Sequence, residues 1–326
     1  MAPSPPARAP TRLPLIDAAR GAAILAMIAY HACWNLNLFG LAEFDLFGNP
    51  LWLAARTLIL GSFLALSGLS LVLAAELGLD RRRFLRRLAL LTAAAAAVSA
   101  VSYLAFPQSP IFFGVLHHIA VASVLGLAFV RLPWALTLAT ALAVIVAGET
   151  LSHPIFEQAP LQWVGLMSFE PNSNDYVPLF PWFGVVLLGI AAGRFRQERI
   201  RTAGAWEDGS GGWFPQGRAG RLLILAGRHS LAVYLLHQPV LLGLLWLLAQ
   251  GVGVTPPEVR NFRESCTASC TMNGARPNVC AANCRCIADS LIEQGLWERT
   301  LADRLDPAQG EQVGIIAQRC MTPDPE

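Results

Sequence analysis

The stretch RLPLIDAARGAAILAMIAYHACWNLNLFG occupies residues 12–40. Its apolar part, from about 14 to 38, is long enough to cross a bilayer, which takes about 20 residues. It nevertheless carries Asp17, Arg20, His31 and Asn35. Ionisable groups inside a spanning helix are costly and mark functional positions by default. Arg20 and His31 lie eleven positions apart. At about 100° per residue they end within about 20° of each other, on one face and roughly 16 Å apart along the axis. Asp17, three residues before Arg20, and Asn35, four after His31, extend the same stripe. A single polar stripe on an otherwise apolar helix looks towards a pocket. The same residues also suit a plainer arrangement, an interfacial Asp17–Arg20 salt bridge with His31 hydrogen-bonded to a neighbouring helix.

The rest of the chain has the same character. Of 326 residues, 54% are apolar and 14% charged, and the mean hydropathy is +0.47. A soluble chain carries about 25% charge. Further apolar runs cover 52–78, 84–106, 112–131, 134–152, 178–195 and 221–250. That makes seven spans, or eight if the last, which contains Pro239, is a broken pair. Backbone groups in lipid must be bonded locally, so the runs are helices; the short alternating segments of a β-barrel are missing. The expected fold is all-α: a polytopic transmembrane helix bundle with a small disulfide-rich helical C-terminal tail. Residues 1–12 read as a cytoplasmic segment, 13–250 as the transmembrane domain and 251–326 as an extracytoplasmic Cys-rich tail. Composition excludes disordered and collagenous chains, and a net charge of +2 gives no bulk attraction to nucleic acid.

Arginine placement predicts orientation. All 24 basic residues are arginine. Arg8 and Arg12 precede the first run, Arg81, Arg82, Arg83, Arg86 and Arg87 follow the second, Arg131 follows the fourth, and Arg194 to Arg221 separate the sixth from the seventh. The loops 39–51, 107–111 and 153–177 have none. The positive-inside rule puts the N-terminus and the arginine-rich loops in the cytoplasm, as in a multi-pass protein of a bacterial inner membrane. Asp17 and Arg20 interrupt the apolar stretch, which a cleaved signal peptide avoids. Seven crossings leave the tail outside. There Cys266, Cys270, Cys280, Cys284, Cys286 and Cys320 read as a disulfide framework, with 15 connectivities open. The two C-x3-C pairs suggest two short helices clamped together, because i and i+4 share a helix face. A zinc site is the alternative, but the tail lacks both a C-x2-C knuckle and histidine, so no metal is expected. Cys33 reads as a packing residue.

The R-x10-H spacing after D-x-x-R-G resembles the transmembrane acyltransferase superfamily, which includes bacterial sugar O-acetylases. Residues 12–40 more closely resemble the heparan-α-glucosaminide N-acetyltransferase catalytic-domain family. So do FFGVLHHIAVAS (112–123), NDYVPLFPWFGVVLLGIAAGR (174–194) and GRHSLAVYLLHQPVLLGLLW (227–246). The resemblance runs over about 12–250. It implies transfer of an acetyl group from cytosolic acetyl-CoA, the donor substrate, to an extracytoplasmic sugar amine or hydroxyl on a glycan or amino sugar. It makes His31 the catalytic residue. Arg20 falls where the lysosomal enzyme has asparagine, so that position follows the O-acetylase pattern. Asp17 and Asn35 complete the catalytic stripe.

Other positions extend the site. Arg20, Arg228 and His237 are candidates for holding the donor, an arginine clamping phosphate and Pro239 opening a polar niche beside His237. Asp175, Trp34 and His118 are candidates for the acceptor. Asp175 could equally cap the helix of the sixth span. His117 and His118 are adjacent, so at most one faces the pocket. The longest outer loop, 153–177, is the natural acceptor platform. Partners implied are membrane lipid, the glycan acceptor and a periplasmic protein met through the tail. Two other classes fit the same sequence: a non-catalytic transporter or assembly subunit with a Cys-rich partner-binding tail, and a membrane cytochrome using pairs among His31, His118, His229 and His237 as haem ligands.

Overall fold

The computed structural model describes residues 13–202, 217–252 and 256–321; residues 1–12, with Arg8 and Arg12, lie outside them. The described residues form helices and no strand. In order the α-helices are α1 (Pro14–Leu38), α2 (Pro50–Glu76), α3 (Arg81–Ala105), α4 (Val115–Gly126), α5 (Trp134–Thr150), α6 (Leu179–Thr202), α7 (Gly217–Arg228), α8 (Ser230–Val252), α9 (Pro257–Met272), α10 (Pro277–Glu293), α11 (Trp297–Leu301) and α12 (Pro307–Met321), with two short 3-10 turns, Pro154–Glu157 and Ala159–Val164, between α5 and α6. The chain divides into two compact units, Met1–His31 with Asp45–Val240, and Ala32–Phe44 with Leu241–Glu326.

The first unit is the apolar bundle. Its core joins Leu64, Leu71 and Val72 of α2 to Ala122 of α4, Ala141 of α5 and Phe183, Val186, Leu187 and Ile190 of α6. Elsewhere its apolar side chains face outward: Leu58 of α2 is 69% exposed and Leu104 of α3 is 86% exposed. Contiguous exposed leucine is an aggregation liability in water and ordinary in lipid.

Five helices, α1, α2, α3, α6 and α8, are long and apolar enough to cross a membrane; α4 and α5 are apolar but shorter. The run at 112–131 loses length at both ends. Gly114 takes the N-cap of α4 in an extended conformation, and turns follow Gly126. Pro133 then starts α5, which stops at Thr150, four residues before Pro154. The run at 221–250 is two helices that part at His229. Pro239 lies inside α8, not at the break. Arg218, Arg221 and Arg228 lie on one face of α7, which is a short amphipathic helix, whereas α8 is apolar all round.

The second unit holds the cysteine region. Cys266–Cys284 and Cys270–Cys280 clamp α9 to α10, the pairing anticipated for the two C-x3-C segments, and Cys286–Cys320 ties α10 to α12. Ile287, Leu291, Leu296 and Ile316 form a small core with Phe262 and Trp297 against it. Such a module is too small for burial alone to hold it, so the bridges carry much of its stability. The C-terminal end of α1 belongs to this unit. Asn37 closes the turn after it, donating to the Phe44 carbonyl at 2.6 Å and accepting the Phe44 N–H at 2.7 Å. Arg260 of α9 donates to the Asn37 carbonyl at 2.6 Å. Cys33 is half-buried and is the free cysteine.

Candidate functional site

At the start of α1, Asp17 is buried, with its side chain 7% exposed. An unpaired carboxylate there would cost several kcal/mol. It pairs instead with two guanidinium groups, Arg20 at 3.6 Å and Arg228 at 3.3 Å. Arg20 also donates to the Ser70 hydroxyl of α2, which in turn donates to the Leu66 carbonyl. Close backbone approach brings α7 to this point. A Cβ on Gly227 would stand 1.7 Å from the Asp17 carbonyl oxygen, and one on Gly21 2.0 Å from that of Leu223. Only glycine fits at either position, the small-residue packing that lets membrane helices meet. Two cations share one carboxylate, so the cluster keeps a surplus positive charge, and Arg228 is 46% exposed.

Further along α1, His31 stands 5.2 Å, ring centre to ring centre, from His237 of α8. Tyr30 lies edge-on to His31 at 6.2 Å and rests against Trp52 of α2 at 5.8 Å. His237 packs on the Tyr234 ring at 5.7 Å, and its Nδ1 lies 2.6 Å from the Tyr234 carbonyl. The first unit therefore joins five of the anticipated residues in two clusters, Asp17–Arg20–Arg228 and His31–His237. The salt bridge between Asp17 and Arg20 is present, but as part of a three-residue arrangement.

Other anticipated residues lie elsewhere. Asn35 is fully buried and Trp34 half-buried, both in the second unit. His118 is fully enclosed in the α4 core, with Nδ1 3.2 Å from the Val177 carbonyl. His117 accepts the Gly114 N–H at Nδ1, at 3.2 Å, and its Nε2 lies 3.3 Å from the Ser99 hydroxyl of α3. Asp175 does act as a helix cap, but for α4: its Oδ2 accepts the Val115 N–H at 3.0 Å. Gly114 makes the room, since a Cβ there would be 2.2 Å from that oxygen. Burial pushes the Asp175 carboxyl above its usual range, opposed by the Val115 hydrogen bond. Tyr176 donates to the Gln162 carbonyl at 2.6 Å, and burial, with Glu170 adding, raises its hydroxyl pKa. The two residues brace loop 153–177. Sequence reasoning missed Ser70 and Tyr234, which sit unremarked in apolar runs. Among the described residues no group of three His, Cys, Asp or Glu side chains could hold a metal.

The family model described as heparan-alpha-glucosaminide N-acetyltransferase, catalytic, matches residues 12–239, more than two thirds of the chain. The chain belongs to that family. Both clusters fall within the matched segment, and the cysteine region lies beyond it. No curated protein and no solved structure matches. Membership implies a membrane transferase of the acetyltransferase kind.

Proposed function

We propose that the protein moves an acetyl group from cytosolic acetyl-CoA to an extracytoplasmic sugar amine or hydroxyl, with His31 as the base or acyl carrier. The observation that carries this reading is the placement, on one face of α1, of a cationic cluster and a histidine pair roughly 16 Å apart. Arg20 and Arg228 bind the donor's phosphates, with Asp17 orienting them, and the thioester lies at His31. With His31 as base, the acceptor N–H or O–H gives its proton to the imidazole as its nitrogen or oxygen bonds the acetyl carbon. The C–S bond breaks, and the departing thiolate takes that proton. Asp175 and His118 hold loop 153–177 in shape for the acceptor.

The topology follows from seven crossings, α1 to α6 and α8, with the arginine-rich loops in the cytoplasm and the cysteine tail in the periplasm of a bacterial inner membrane. The bond between Arg260 and Asn37 supports it. Both residues must lie on one side of the membrane, which requires an even number of crossings between them, and α2 to α6 with α8 provide six.

The test is acetyl-CoA turnover by purified full-length protein in liposomes with amino-sugar acceptors. His31→Ala should abolish turnover with the fold intact, and Arg20→Met should raise KM for acetyl-CoA. Unchanged turnover in His31→Ala would sink the assignment.

A further inference from the structure

We propose that His237 is a positioning residue for His31: its Nε2 accepts the N–H of the His31 ring and so fixes which His31 nitrogen keeps its lone pair. The inference deepens the acetyl-transfer reading and rests on it for the use to which that lone pair is put.

Three observations carry it. The Tyr234 carbonyl, 2.6 Å from Nδ1 of His237, can only accept, so Nδ1 carries the proton. A neutral imidazole with its proton on Nδ1 presents Nε2 as an acceptor. That Nε2 is buried and has no hydrogen-bond partner among the described residues. A buried acceptor left unsatisfied loses its hydration with nothing in return, so the position calls for a donor. Among the described residues, the nearer of the two rings packed on His237 is His31, at 5.2 Å with a 49° tilt; Tyr234 is at 5.7 Å. That separation matches two imidazole half-widths plus one N–H···N bond. Rotation of His31 about χ2, a soft torsion, brings its N–H into line.

The arrangement has a physical advantage over a carboxylate partner. A histidine base needs one tautomer held, and a charged partner would have to be taken out of water among apolar helices, which is costly. A second neutral imidazole holds the tautomer without adding a charge. It also stabilises the imidazolium when His31 takes a proton, because a hydrogen bond from a charged donor is stronger than one from a neutral donor.

The experiment uses the full chain in detergent micelles with ring-15N histidine. The sequence has six histidines, and the His31→Ala spectrum identifies the His31 signals by difference. His31 should show one neutral tautomer. His237→Phe, which keeps a ring but no acceptor, should shift it to a mixture, and His237→Gln, whose amide oxygen can accept, should restore it. His237→Met gives the same reading as Phe if the latter folds poorly. An unshifted His31 tautomer in the apolar variants overturns the proposal. In the transfer assay His237→Phe should lower kcat by up to about 100-fold with KM for acetyl-CoA unchanged, and Gln should recover most of it. A tautomer shift in a protein without acetyl transfer would uphold the pair and sink the transferase reading. Full transfer with an unshifted tautomer would do the reverse.

Discussion

Asp17 and Arg228 are 211 residues apart in sequence and meet as an ion pair at 3.3 Å, with Arg20 on the other carboxylate oxygen. Each arginine covers for the other. Arg228→Met or Arg20→Met alone should cost about 1 kcal/mol, since the guanidinium groups are partly solvated and one partner remains. The double variant strands the carboxylate and should lose about 3–5 kcal/mol, more than the two single losses together. Thermal unfolding of the four proteins in one detergent measures the coupling; simple additivity would mean that the pairs are independent.

The same contact depends on the backbone of α7. Gly227→Ala places a methyl 1.7 Å from the Asp17 carbonyl oxygen, so α7 must move and Arg228 with it. The expected loss is about 1–3 kcal/mol. Gly243→Ala in α8, where a Cβ meets nothing within 4 Å, is the control and should leave the melting temperature nearly unchanged.

The helical face of α1 was legible because Arg20 and His31 obey the helix period, a local property. Their partners were not. Nothing near Arg228 or His237 in sequence says which helix will pack beside them; the glycines that allow it, Gly21 and Gly227, read as ordinary small residues in an apolar run. The run 221–250 reads as one tilted helix or a broken pair, and the structure breaks it at His229, not at Pro239. A proline inside a membrane helix is tolerated because neighbouring groups re-satisfy the backbone, whereas the arginine stripe of α7 differs in kind from the uniform apolarity of α8. The pairing of Asp175 with α4 was hidden for a similar reason. A carboxylate at the end of a loop can cap any helix start that folding brings to it.

Asp175 makes stability depend on pH. Its folded pKa lies above the ordinary value of 3.8 because burial penalises the charged form. The folded state therefore binds the proton more tightly, and the stabilisation is fully present below pH 3.8 and is lost as pH rises through the folded pKa. Asp175→Asn keeps an oxygen for the Val115 N–H but cannot ionise. The wild type's melting temperature, relative to that variant, should fall as pH rises from about 4 towards neutrality. A constant difference across that range would contradict the assignment.

The three bridges should contribute unequally. Cys286–Cys320 closes a separation of 34 residues and Cys270–Cys280 one of 10. Loop-closure entropy makes the longer bridge worth more, within a usual range of about 2–4 kcal/mol. Non-reducing peptide mapping should recover the pairs 266–284, 270–280 and 286–320. Replacing both Cys286 and Cys320 by serine should then lower stability more than the same change at 270 and 280.

The bond from Arg260 to the Asn37 carbonyl spans 223 residues, and it imposes an order of events during synthesis. The turn at 37–44 emerges among the first parts of the chain, and α9 among the last. The contact can therefore form only after every helix between them has been synthesised. Until then the turn after α1 waits without Arg260, and a chain stalled anywhere in between never gains that bond. The Arg260–Asn37 bond thus reports that all of the chain between the two residues has been made.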